Sequence, residues 1–198
     1  MEIGKTLDVK DRKEWRSWLS KNHDKEKEIW FVFYRKASGK KNISYVDALE
    51  EALCFGWIDG TVKGIDEEKF CQRFSPRRFN SNLSEMNRER IRRLIKSGEM
   101  TPAGLKAVSK SFNHEEDKKK KWVIAPDILK KLKSNKKTWE NFQNFSEGYK
   151  KVRIAYIENY RNYNPDKNSK DKNEIFNKKL DYFLKQTSKG KTYGTMKD

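Results

Sequence analysis

Cysteine and histidine are nearly absent. The 198-residue chain has two of each, Cys54 and Cys71, His23 and His114. Two cysteines without C-x-x-C spacing cannot frame a disulfide scaffold, and they fit a compartment where thiols stay reduced. Both histidines lie in charged, loop-like sequence, so no His/Cys ligand set is at hand and no metal is expected. No run of 18 apolar residues occurs, which excludes a bilayer-spanning helix. The opening residues Met1 to Lys5 lead into charged sequence without an apolar core, so an export signal is not expected and a cytoplasmic location is. No Ser/His/Asp set, P-loop or Rossmann glycine pattern is present. Neither a catalytic residue nor a cofactor is therefore assigned.

Positive charge is abundant: 46 Lys and Arg face 29 Asp and Glu, for a formal charge of +17. The 25 aromatic residues (6 Trp, 8 Tyr, 11 Phe) supply core-forming area that a chain 38% charged otherwise lacks. The excess is unevenly placed. Residues 1–68 carry −1, residues 69–110 carry +8, residues 111–149 carry +3 and residues 150–198 carry +7. The 34 lysines and 15 asparagines match the bias of an AT-rich coding sequence, so arginine is the better witness. Seven of the 12 arginines fall between positions 73 and 93.

Periodicity predicts an α+β fold. Val9, Trp15, Trp18 and Leu19 mark an amphipathic helix near residues 10–20, with Asp8 or Asp11 as cap. Ile29 to Tyr34 is an unbroken apolar run of strand formers and reads as a central strand. Ser44 caps a helix with Asp47 at the capping-box position. Residues 61–65 and 70–75 pair as a hairpin, with Phe70, Gln72 and Phe74 on one face and Cys71 and Arg73 on the other. A helix follows over 85–97, then a Pro-initiated one at Thr101-Pro102.

Residues 113–121 form a charge-segregated linker. The expected organisation is an α+β domain over 1–112, built on a small antiparallel sheet, and an all-helical region over 122–188. A loose tail over 189–198 completes it. The tyrosines from Tyr149 to Tyr163 fall at helical spacing and are expected to face inward.

The stretch Ala52-Leu53-Cys54-Phe55-Gly56-Trp57-Ile58-Asp59-Gly60 is unusually specific. With Arg73-Phe74-Ser75-Pro76-Arg77 and the spaced Ser81, Ser84, Asn87 and Arg90, it resembles the YdeI/OmpD-associated, or bacteriocin-protection, family. Gly98 to Leu105 continue the match, as do Asn135, Trp139, Phe142, Ser146 and Tyr149. The likeness covers roughly residues 10–160. It departs at Leu83, where the family has Trp, at Gln72, where it has an aliphatic residue, and at Glu174 to Lys179, after an apparent insertion at 162–172. The resemblance implies stress protection and no established catalytic residues.

Two constellations point to function. Arg73, Arg77, Arg78, Arg88, Arg90 and Arg92, with Ser84 and Asn87 as hydrogen-bond donors, suit phosphate on a polyanion such as nucleic acid. The bland alternative is a solvated basic face closed by salt bridges. Trp57, Asp59 and Gly60, joined by Arg73, form a candidate pocket. Alternatively Asp59 is a turn carboxylate bonded to backbone amides, with Gly60 at positive φ, and Trp57 is core. A third reading has the C-terminal helices dock a protein partner.

Overall fold

The computed structural model describes residues 2–78, 80–161, 163 and 173–195. The chain divides into two compact units: residues 1–83 with 90–118, and residues 84–89 with 119–198.

The first unit is built on a sheet. Strands β1 (Thr6–Leu7), β2 (Ile29–Tyr34), β3 (Trp57–Gly64) and β4 (Lys69–Pro76) assemble in the order β1-β2-β4-β3. The sheet is mixed, because the two-residue β1 runs parallel to β2 while the other pairs are antiparallel. The apolar run of β2 sits between β1 and β4 with Ile29 to Phe33 buried, the environment that lets a strand be apolar on both faces.

Helix α1 (Arg12–Asn22) starts at Asp11, whose carboxylate accepts from the Glu14 amide at 2.9 Å. Its Trp15 is fully buried, edge-on to Phe31 and Phe74 in the core. Helix α2 (Tyr45–Cys54) starts at Ser44, which accepts from the Asp47 amide at 3.1 Å. The Asp47 carboxylate accepts from the Ser44 hydroxyl at 2.6 Å, so only half of a capping box forms.

Helix α3 (Glu85–Lys96) and helix α4 (Pro102–Val108) follow the hairpin. Thr101 caps α4 and ties it to α2. Its hydroxyl and amide both donate to the Cys54 carbonyl, at 2.6 and 3.1 Å. Gly104 lies against that same carbonyl, and a Cβ there would overlap it. Gly56 turns the chain from α2 into β3 at φ +78. The expected linker holds structure of its own: His114 to Lys119 form helix α5, and Asp117 takes two hydrogen bonds from Arg92, at 2.6 and 3.1 Å.

The second unit contains α6 (Pro126–Lys133), α7 (Lys136–Asn144), α8 (Glu147–Glu158) and α9 (Glu174–Thr187). Ile128, Leu132, Phe142, Tyr149, Ile157, Leu180 and Phe183 form its core. The tyrosine stripe is only partly inward. Tyr149 is buried, whereas Tyr156 and Tyr163 are 37% and 51% exposed. α8 ends at Glu158, so Tyr163 lies beyond the helix whose period was to turn it inward.

Beyond α9 the chain makes backbone hydrogen bonds at Lys191 and Tyr193. The Lys191 amide donates to the Gln186 carbonyl at 3.0 Å, and the Tyr193 amide to the Tyr149 hydroxyl at 3.2 Å. Apart from Tyr163, the apparent insertion at 162–172 lies outside the described residues, as do residues 196–198.

Candidate anion-binding surfaces

The arginines of residues 73–93 are placed in different environments. Arg73 projects from β4 and donates to Glu28 at 2.6 Å. Arg77 reaches along its own loop, its Nη2 donating to the carbonyls of Ser81 at 3.1 Å and Asn82 at 2.5 Å. Arg78 is exposed. Arg90 is 4% exposed within the first unit, where burial pulls its pKa down against the opposing pull of Tyr45, Glu50 and Asp59. Arg92 holds Asp117. Arg93 donates to Glu50 at 3.1 Å.

Ser84 begins α3, its hydroxyl accepting from the Asn87 amide at 3.3 Å. Asn87 and Arg88 lie half-buried on the first turns of α3. With Ser84 they belong to the second unit, whereas Arg73, Arg77, Arg78, Arg90 and Arg92 belong to the first.

Trp57, Asp59 and Arg73 do not share a face. Asp59 pairs in register with Phe74, so Arg73, one residue before it, points to the opposite side of the sheet. Trp57 is fully buried and donates its indole N–H to the His23 carbonyl at 3.0 Å. The Asp59 carboxylate is not held by turn amides. Its Oδ2 accepts from the Tyr45 hydroxyl at 2.8 Å and from Gln72 Nε2 at 2.9 Å. Gly60 is not among the positive-φ glycines, and the ladder shifts register between Asp59 and Val62 instead.

Burial and the Asp59 charge push the Tyr45 phenol up to about 12, so it stays a donor. Tyr45, Asp59 and Gln72 are thus a satisfied polar cluster between the start of α2 and the β3–β4 hairpin. Cys54 is silenced in the same unit, since burial drives its thiol up to about 11.

The second unit holds an open cavity of about 420 Å³, lined by Tyr156, Ile175, Lys178, Lys179, Tyr182 and Tyr193. Of these described residues two are cations and none is a carboxylate. Tyr160 and Lys179 crowd the Tyr156 hydroxyl, and their interaction with it lowers the Tyr156 pKa and raises that of Lys179. The Arg153 guanidinium lies 4.8 Å from the Tyr193 ring centre and 5.8 Å from that of Tyr156. Burial pushes the Tyr193 phenol up to about 12.

The family described as Domain of unknown function (DUF8412) matches residues 7–107. The chain belongs to that family. No curated protein and no solved structure matches it. The DUF8412 stretch contains the Tyr45–Asp59–Gln72 cluster and every arginine between 73 and 93. It ends before the cavity of the second unit.

Sequence reasoning found Asp59 but not its partners. Tyr45 lies 14 positions before it and Gln72 13 after it, and no local pattern connects them. One signal was present: Gln72 is a lone amide between the apolar residues Phe70 and Phe74. Among the described residues no helix is long and apolar enough to cross a membrane, and no cluster of His, Cys, Asp or Glu is arranged to hold a metal.

Proposed function

We propose that this chain is a non-enzymatic, cytoplasmic binding protein of the stress-protection type, and that its first unit contacts a phosphate-bearing polyanion such as nucleic acid. The reading rests on one feature, the loop after β4. Arg77 holds that loop from within by its bonds to Ser81 and Asn82, and the Ser81 hydroxyl donates to the Arg78 carbonyl at 2.7 Å. Lys110 Nζ donates to Asn80 Oδ1 at 3.2 Å, which ties a second cation to the loop that carries exposed Arg78. Cations on a braced loop bind phosphate without ordering a flexible segment first, which lowers the entropic cost. The resemblance to the YdeI/OmpD-associated family supports a binding role over a catalytic one.

The working residues are then Arg78 and Lys110 rather than Arg73, Arg90 and Arg92, whose charges face carboxylates within the unit. The test is fluorescence anisotropy of the Arg78→Glu, Lys110→Glu double variant on single-stranded RNA and duplex DNA over a salt series. The expected result is weaker binding and a log–log salt slope shallower by about 2, with an unchanged melting temperature. Equal affinity and slope in variant and wild type would overturn the proposal.

A further inference from the structure

The geometry points to a second binding site, in the cavity of the second unit, for an aromatic ring that carries a phosphate: a nucleotide-sized anion. Three observations support it together. The volume of about 420 Å³ lies within the range of small-ligand sites. Its walls are aromatic, with Tyr182 and Tyr193 meeting edge to face at 5.0 Å and Tyr156 contributing a third ring. Its cations, Lys178 and Lys179, are positioned to meet an anion alongside a stacked ring.

The walls are fixed before any ligand arrives. The backbone of Tyr193 is held by Tyr149, and its ring rests on Arg153, itself buried. Tyr156 is edge-on to Tyr160 at 5.2 Å, and Lys179 lies 5.5 Å from the Tyr156 ring centre and 5.2 Å from that of Tyr160. Tyr182, by contrast, is half exposed, an aromatic surface on the rim that no core requirement explains. Lys178 pairs with Glu174 one helical turn away, an exposed pair that gives way readily to a phosphate. Lys179 is the cation held against the cavity wall, over the rings of Tyr156 and Tyr160.

Ring and phosphate must then both be required, which separates this site from a merely basic surface. Calorimetric titration of the full chain with AMP, adenosine and inorganic phosphate tests it. AMP should bind at least tenfold more tightly than either part alone. Tyr182→Ala and Lys179→Gln should each weaken AMP by about tenfold, and Lys179→Arg should restore most of the loss. Both positions are partly exposed, so melting temperatures should hold.

A single-stranded dA decamer, titrated in the Arg78→Glu, Lys110→Glu background, distinguishes the source of the ligand. Competition between decamer and AMP assigns the site to a strand, and AMP binding alone assigns it to a free nucleotide. AMP binding no tighter than phosphate, or unchanged by both Tyr182→Ala and Lys179→Gln, would overturn the site while leaving the loop of the first unit untouched.

Discussion

Arg12 of the first unit and Arg153 of the second meet opposite kinds of partner. Each unit also holds the other kind: Arg16 and Arg35 lie over phenylalanine rings, and Arg161 pairs with Glu158 and Asp127. In the first, Arg12 contacts Asp47, Glu50, Glu51 and Glu99, Arg16 shares Glu51, and Arg73 and Arg92 each hold a carboxylate. In the second, Arg153 lies against Tyr149, Tyr156 and Tyr193, Lys133 against Trp139, and Lys150 against Phe142. A carboxylate cancels a cation, whereas an aromatic face fixes it in place and leaves its field intact. Both units are basic overall, +6 for the first and +11 for the second. A count of basic residues therefore says little about binding until their partners are known.

The contrast can be broken first at two glycines. Gly104→Ala would drive a methyl into the Cys54 carbonyl, a backbone atom that cannot yield, and should cost about 3 kcal/mol or more in urea denaturation. Gly148→Ala in the second unit meets only the Glu89 side chain, which can swing away, and should cost under about 1 kcal/mol. Equal losses would show that both packings are equally rigid.

The next largest effect is expected from Arg12→Ala. It strips a partner from Glu51, which is only 2% exposed, and should cost about 3 kcal/mol. The counterpart in the second unit, Arg153→Met, removes no carboxylate partner and loses only its ring contacts. About 1–2 kcal/mol is expected there, again by denaturation.

The smallest effect is a shared one that sharpens the comparison. Tyr45 in the first unit and Tyr193 in the second are both held near 12, above the ordinary phenol value of about 10. A raised folded pKa stabilises fully below about pH 10, and that stability declines as pH rises towards 12. Denaturation at stepped alkaline pH should show the decline, reduced in part by either Tyr→Phe variant. Only Tyr45→Phe should also lower stability at neutral pH, because Asp59 then loses a donor.

Local signals carried most of the fold. The apolar run at Ile29, the caps Asp11 and Ser44 and the Pro102 start each depend on residues within a turn of one another. Strand β1 escaped because two residues display no period. The inward tyrosine stripe failed already at Tyr156, inside helix α8, and again at Tyr163, beyond its end at Glu158. The candidate sites were harder still, since Arg73 meets Glu28 and Arg92 meets Asp117 across 45 and 25 positions. Whether an arginine is neutralised or displayed is decided by such distant pairings.

Helix α3 crosses the division of the chain: residues 84–89 count with the second unit and residues from 90 onward with the first. A single cut, whether by a protease in the 118–121 stretch or by a gene fusion placed there, would leave one turn of the second unit behind on the first. A separate second unit would therefore have to carry residues 84–89 with it to keep all of its own chain.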